Sequence, residues 1–141
     1  MRIELGYPDQ ALERELLRGQ DRRDLLATLR PAVTPQQLLL LQTLVPKVHA
    51  SDALLDYAQA VVRFTRESPA FEAGVSPRAA IALLRASQSW ALIHGHKGVQ
   101  PEDLQAVLPA VVGHRLKPRE SASAKTPAEI GRYVIESVSI P

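Results

Sequence analysis

The sequence predicts an all-α protein, a compact bundle of about five to six helices, and three observations support this. Its apolar residues are mostly Leu, Ala and Val, and aromatic residues make up only 4% of the 141 residues. That composition favours packed helices over a β-sandwich. A helix start of Ser or Thr followed by Pro recurs at 34–35, 76–77 and 126–127. Alternation of apolar and polar residues is confined to residues 2–5.

The first helix follows a turn near the start of the chain. Residues 6–9, Gly-Tyr-Pro-Asp, form a turn signal, and Asp9 can cap a helix that runs to about residue 18 and ends at Gly19. The alternation in residues 1–5 resembles the end of a strand, so we expect an earlier part of the protein to be missing. Residues 20–30 are polar and basic and could form a helical turn or an ordered loop.

The second helix is predicted from Pro35 to about His49, after a capping box of Thr34 and Gln37. Its apolar residues cover more of the helix surface than a single stripe, which predicts a well-buried helix. These residues are Leu38, Leu39, Leu40, Leu41, Leu44, Val45 and Val48. Pro46 lies inside this range and predicts a kink or an early end.

The third helix begins after Ser51 and is amphipathic. Its apolar stripe comprises Leu54, Ala58, Val61 and Thr65, and Arg63, Arg66 and Glu67 lie elsewhere. Residues 68–74 then form a loop, which we expect Phe71 to anchor by burial.

The helix from about Pro77 to His94 is the predicted centre of the bundle, largely buried, with Ser76 as its cap. Arg78 is unusual, because a cation in the first turn opposes the positive end of the helix dipole. A phosphate at that end would be bound by both the helix and the arginine. The alternative is an exposed arginine whose small unfavourable energy is tolerated. Arg85 lies two turns further along the same face.

Two further helices complete the bundle. After a turn at Gly95, a helix begins at Pro101, and Pro109 should kink or segment it. Its inward stripe comprises Leu104, Val107, Leu108 and Val111. The polar character of residues 115–125 predicts an exposed loop before the last helix. That helix begins with a capping box of Thr126 and Glu129.

The composition excludes several classes of function. The formal charge is +2, there is no cysteine and no P-loop pattern, and no apolar run is long enough to span a membrane. The absence of cysteine makes the cytoplasm the expected location. His94 and His96 lack acidic or cysteine neighbours, so we expect no metal site. Glu102 and Asp103 fit the role of helix-dipole partners better than that of a catalytic pair. We predict no catalytic residue in this chain.

A basic stretch at residues 114–119, His-Arg-Leu-Lys-Pro-Arg, leaves a second class of function open. The chain could be a stand-alone helical protein-interaction or DNA-binding module. The near-zero net charge and the absence of interleaved aromatic residues argue against this, so we do not expect the chain to bind nucleic acid.

The chain resembles the C-terminal lid domain of MoxR-type AAA+ ATPases over essentially its whole length. The resemblance rests on five segments: residues 6–8 (Gly-Tyr-Pro), 74–79 (Gly-Val-Ser-Pro-Arg-Ala), 99–104 (Val-Gln-Pro-Glu-Asp-Leu), 114–116 (His-Arg-Leu) and 126–130 (Thr-Pro-Ala-Glu-Ile). Trp90-Ala91 with Gly95 adds to it. The Ser-Pro-Arg-Ala and Pro-Glu-Asp parts are the most specific.

The resemblance implies a role for Arg78. In such lids the arginine of the Ser-Pro-Arg segment is the sensor 2 residue, which reaches toward the γ-phosphate of ATP, and Ser76 and Pro77 would support that site. It also implies an upstream α/β ATPase core, which would hold ATP and Mg and is missing here. The parent protein would be an ATP-hydrolysing enzyme, whereas this chain alone would not. Members form ring hexamers and act as chaperone-like motors, often beside von Willebrand A domain proteins.

The resemblance divides the chain into four parts. Residues 1–8 would be the end of the ATPase core and residues 9–114 the helical bundle. Residues 115–125 would be the exposed connection, and residues 126–141 the C-terminal helix.

Overall fold

The computed structural model of the chain describes residues 1–19, 26–119 and 126–140. Within these ranges it has six α-helices and no strand, which confirms the all-α prediction. The helices are α1 (Gln10–Arg18), α2 (Pro35–Leu44), α3 (Asp52–Glu67), α4 (Pro77–Ile93), α5 (Pro101–Val112) and α6 (Pro127–Ser137). A 3₁₀ turn follows α2 at Val45–Lys47, and another follows α5 at Gly113–Arg115. Parts of two predictions, at residues 20–25 and 120–125, lie outside the described residues.

Side chains cap the helices where the sequence predicts. Each of five caps accepts a hydrogen bond from the backbone N–H three residues later: Asp9, Thr34, Ser51, Ser76 and Thr126. In return, Gln37 and Glu129 accept hydrogen bonds from the backbone N–H groups of Thr34 and Thr126. These bonds satisfy N–H groups that have no partner within the helix. The five predicted helix starts are therefore confirmed.

The central helix of the fold is α5, which packs between α4 and α6. Its buried residues are Asp103, Leu104, Val107, Leu108, Val111 and Val112. The prediction that α4 is central and largely buried is wrong, because α4 packs along its length chiefly on α5 and buries one face. On its other sides Ile81 and Ile93 are 63% and 78% exposed. The helix α5 also continues past Pro109 to Val112, so the proline does not divide it.

The leucines of α2 do not join the core, so the prediction that this helix is well buried is wrong. Leu38, Leu39, Leu40 and Leu41 are between 42% and 62% exposed. Four successive residues, 100° apart, point to all sides of a helix, and no other helix among the described residues packs substantially against α2. The predicted early end is confirmed, since α2 stops at Leu44 and the 3₁₀ turn contains Pro46.

Two short backbone pairings tie the loops to the core. Val99 N–H donates to His49 C=O at 2.8 Å, and Glu72 N–H donates to Lys117 C=O at 3.0 Å. Beside the second pairing, Phe71 is buried and packs edge-on against Tyr133, which confirms its anchoring role. The first pairing holds the segment before α3 against the segment before α5. The second holds the loop before α4 against the segment that follows α5.

Residues 2–5 do not form the predicted strand. The backbone N–H of Arg2 instead donates to the Ala110 carbonyl at 2.7 Å. A strand needs a neighbouring strand, and the described residues offer only a carbonyl near the C-terminal end of α5.

None of the helices in the described ranges has the length and apolar character required to cross a bilayer.

Candidate functional site

The start of α4 presents the residue that the sequence singles out. Ser76 Oγ accepts a hydrogen bond from Ala79 N–H at 3.2 Å, and Pro77 occupies the first helical position. Arg78 follows in the first turn, and its side chain is exposed. No hydrogen bond or ion pair joins the side chain of Arg78 to another described residue.

The electrostatics of this helix end favour an anion. The first turn of α4 contains no acidic residue, and the partial positive charge of the helix N-terminus adds to the charge of Arg78. An exposed guanidinium can bind two oxygens of a phosphate at once. The arrangement can therefore bind a phosphate group that another surface delivers, whereas a single exposed charge would hold free phosphate only weakly.

The segment before α4 is attached to the last turn of α3 by side chains. Thr65 Oγ1 accepts a hydrogen bond from Val75 N–H at 3.0 Å, and Arg66 Nε donates to Val75 C=O at the same distance. The backbone also passes very close to α3 at Gly74, where a Cβ would lie 2.5 Å from Arg66 Cα. Sequence reasoning missed this attachment, because it assigned Thr65 to an apolar stripe. A threonine on that stripe, followed directly by an arginine, was the available signal.

An apolar groove lies between α3 and α4, beside the helix end that holds Arg78. Its volume is about 400 Å³. The residues that line it include Leu55, Ala58, Val62, Pro77, Ile81 and Arg66. Pro77 thus belongs both to this groove and to the first turn of α4. Apolar surface and a cation are therefore presented close together.

The side chain of Arg85, unlike that of Arg78, has a hydrogen-bond partner within the fold. Its Nη1 donates to Gln88 Oε1 at 2.9 Å, and Gln88 Nε2 donates to Val48 C=O at 2.8 Å. This chain of bonds attaches the segment after α2 to α4. Of the two arginines that the sequence places on the same face of α4, the side chain of Arg85 therefore has a partner among the described residues, whereas that of Arg78 has none.

His96 and Asp103 form a pair that the sequence analysis did not foresee. Asp103 is 1% exposed, and His96 Nδ1 lies 2.9 Å from its Oδ1. Its other oxygen, Oδ2, accepts a hydrogen bond from Gln100 N–H at 2.8 Å. In the described part of the chain, no group of three or more His, Cys, Asp or Glu residues could hold a metal ion. The hydrogen bond between His96 and Asp103 instead joins the turn after α4 to the first turn of α5.

The basic stretch at residues 114–119 is largely used within the fold. Leu116 is buried, Arg119 N–H donates to Ala70 C=O at 2.9 Å, and Arg119 Nη2 donates to Phe71 C=O at 3.2 Å. Desolvation and the neighbouring charge of Arg115 lower the pKa of His114 below 6.5. The stretch therefore does not present an uninterrupted basic face to nucleic acid.

Comparison with known proteins agrees with this geometry. A sequence model of the "AAA lid domain" family matches residues 63–132, which include the attachment of Val75, Arg78 and the His96–Asp103 pair. The chain is 32% identical over 142 residues to the uncharacterized protein YeaC of Bacillus subtilis. It is also 32% identical over 162 residues to the chaperone MoxR1 of Mycobacterium tuberculosis.

The matches cover almost all of this chain and part of each relative. The alignments include 99% of the chain but only 44% of YeaC and 40% of MoxR1. The chain therefore spans less than half the length of the curated relatives that it matches. A crystal structure of a protein inferred to be an ATPase, from Cytophaga hutchinsonii, superposes on all of the chain and on 46% of its own length. The TM-score is 0.80 at 26% identity. Residues 63–132 therefore form an AAA lid domain, and the chain as a whole is similar to the lid part of a MoxR-type AAA+ protein.

Proposed function

We propose that this lid senses the nucleotide of an ATP-hydrolysing AAA+ assembly and that Arg78 is its sensor 2 residue. The observation that carries the proposal is the exposed Arg78 in the first turn of α4, which has no partner among the described residues. Ser76 and Pro77 support the site by starting the helix and so setting the direction of its first turn.

The lid supplies one contact to ATP and does not hydrolyse it. The start of α4 fits a phosphate oxygen, because it combines an exposed guanidinium with a helix N-terminus. It does not fit Mg, since its first turn has no acidic residue. An α/β core joined to the lid would therefore hold Mg and the rest of ATP, as the family resemblance implies. When bound, ATP supplies the phosphate charge that draws Arg78 toward the core.

The wider role follows from this contact. A lid that binds the γ-phosphate changes position when the phosphate leaves, and so passes the nucleotide state to neighbouring subunits. We propose that the complete protein acts as a ring hexamer that matures or activates other protein complexes in a chaperone-like manner. A von Willebrand A domain protein as partner, and a cytoplasmic location, stay predictions from the sequence. The comparisons do not favour a DNA-binding module.

The test is ATP turnover by the protein encoded by the complete reading frame that contains this chain. We expect Arg78→Ala to reduce turnover strongly while the helical content stays unchanged, because the substitution removes an exposed side chain. Arg132→Ala, at an exposed arginine of α6, is the matched control and should leave turnover unchanged. Near-normal turnover in Arg78→Ala would contradict the assignment.

A further inference from the structure

The last turn of α3 holds both polar backbone groups of Val75. Thr65 Oγ1 accepts from Val75 N–H at 3.0 Å and donates its own proton to Val62 C=O at 2.7 Å. Arg66 Nε donates to Val75 C=O at 3.0 Å. One residue is thus fixed from two sides by neighbouring side chains of α3.

The hydrogen bond between Thr65 and the Val75 N–H is difficult to replace by water. Thr65 is 1% exposed and Val75 is 3% exposed, so an N–H that lost its acceptor there would stay desolvated without a partner. The contact is also tight at the preceding residue, because a Cβ on Gly74 would lie 2.5 Å from Arg66 Cα. The segment therefore lies directly on α3 and has no space to shift toward it.

The connection from Val75 to Arg78 is short and stiff. Ser76 caps the helix through Ala79 N–H, and the ring of Pro77 fixes the backbone φ angle at the first helical position. A change in the position of Val75 therefore changes the direction of the first turn of α4. The guanidinium of Arg78 moves with that turn.

We propose that Thr65 and Arg66 are positioning residues, which act through Val75 to hold Arg78 in the direction of the γ-phosphate. This inference rests on the proposed sensor role of Arg78. Preorganised geometry matters most for a contact that forms with the reacting group. Loss of the Thr65 hydroxyl should therefore lower kcat for ATP more than it changes KM.

The experiment measures kcat and KM for ATP in the complete protein. Thr65→Val replaces the hydroxyl with a methyl group of similar size and should lower kcat roughly tenfold, which corresponds to about 1.4 kcal/mol. Thr65→Ser keeps the hydroxyl and should restore most of the rate. Thr43→Val is the matched control, because the Thr43 hydroxyl donates to Leu40 C=O of its own helix and has no other partner among the described residues. Hydrogen exchange across residues 74–79 should become faster in Thr65→Val but not in Thr65→Ser or Thr43→Val.

Combination with Arg78→Ala separates the two proposals. If Thr65 and Arg66 act through Arg78, Thr65→Val and Arg66→Ala should cause no further loss of kcat when Arg78 is already alanine. Arg63→Ala, one turn earlier on α3, is the control for Arg66→Ala. Full additivity of either substitution with Arg78→Ala would overturn the positioning role of that residue. Normal turnover in Arg78→Ala itself would instead overturn the sensor assignment.

Discussion

The imidazole of His96 and the buried carboxylate of Asp103 are joined across the turn between α4 and α5, with 2.9 Å between Nδ1 and Oδ1. Gln100 N–H occupies the other carboxylate oxygen. Two donors therefore satisfy a carboxylate that water does not reach. This pair fixes the start of the central helix relative to the helix that holds Arg78.

Removal of the imidazole should destabilise the chain. We expect His96→Ala to lower the free energy of unfolding by about 1–2 kcal/mol, because the buried carboxylate of Asp103 loses a donor. Urea unfolding followed by circular dichroism measures this change. His94→Ala is the control, since the exposed ring of His94 bonds to Trp90 C=O within its own turn, and it should change stability by less than about 0.5 kcal/mol. Equal effects of the two substitutions would contradict the role of His96.

An added methyl group at residue 74 should disturb the approach to α3. Gly74→Ala places a Cβ 2.5 Å from the Cα of Arg66, so the segment has to move away from the helix. We expect a loss of roughly 1–3 kcal/mol of stability, as in other overpacked sites. Thermal unfolding checks this value, with Ala73→Ser at the exposed neighbouring residue as control. An unchanged melting temperature in Gly74→Ala would show that the close approach is not maintained in solution.

The leucines of α2 should be dispensable for the stability of this chain. We expect Leu40→Glu, at a residue that is 60% exposed, to change the free energy of unfolding by less than about 0.5 kcal/mol. Leu108→Ala, at a fully buried residue of α5, should cost about 2–5 kcal/mol. Urea unfolding of both variants gives the comparison. A large loss in Leu40→Glu would mean that α2 contributes to the core.

Acid should destabilise the fold through His114. Desolvation, with a contribution from Arg115, lowers the pKa of this residue below the value of 6.5 that it has in the unfolded chain. The folded state therefore binds the proton less tightly, and stability falls as the pH drops through 6.5 toward the lower, folded-state pKa. Melting temperatures at pH 8 and pH 5 should differ less in His114→Gln than in the unchanged chain. His49→Gln is the control, and it should keep the full difference.

The sequence was sufficient to predict features that depend on neighbouring residues in the chain. The cap at Ser76, the capping box at Thr126 and the helix end before Gly95 require only a few adjacent residues, and the structure has all three. The family resemblance could also be recognised from the sequence, because it rests on short segments such as the Ser-Pro-Arg-Ala and Pro-Glu-Asp patterns.

Burial and distant pairing could not be predicted in the same way. The four leucines at 38–41 suit a buried helix, but their burial depends on whether another element covers them. Asp103 has the expected place in a first helical turn, yet its partner lies in the preceding turn of the chain. The hydroxyl of Thr65 bonds to a residue ten positions away, and the periodicity of α3 contains no information about that residue.

The bond from Arg2 to Ala110 has a consequence for the first residues of the chain. The chain between Arg2 and Val48 is a loop of roughly 45 residues, because Arg2 is bound at Ala110 and Val48 is bound through Gln88. Closing a loop of that length costs about 4 kcal/mol of chain entropy. One backbone hydrogen bond returns about 1 kcal/mol. Ile3 adds little, because it is 71% exposed. This one hydrogen bond therefore does not offset the entropy cost of closing the loop. A second attachment of the chain to the core before residue 48 would shorten the loop and favour the closed form.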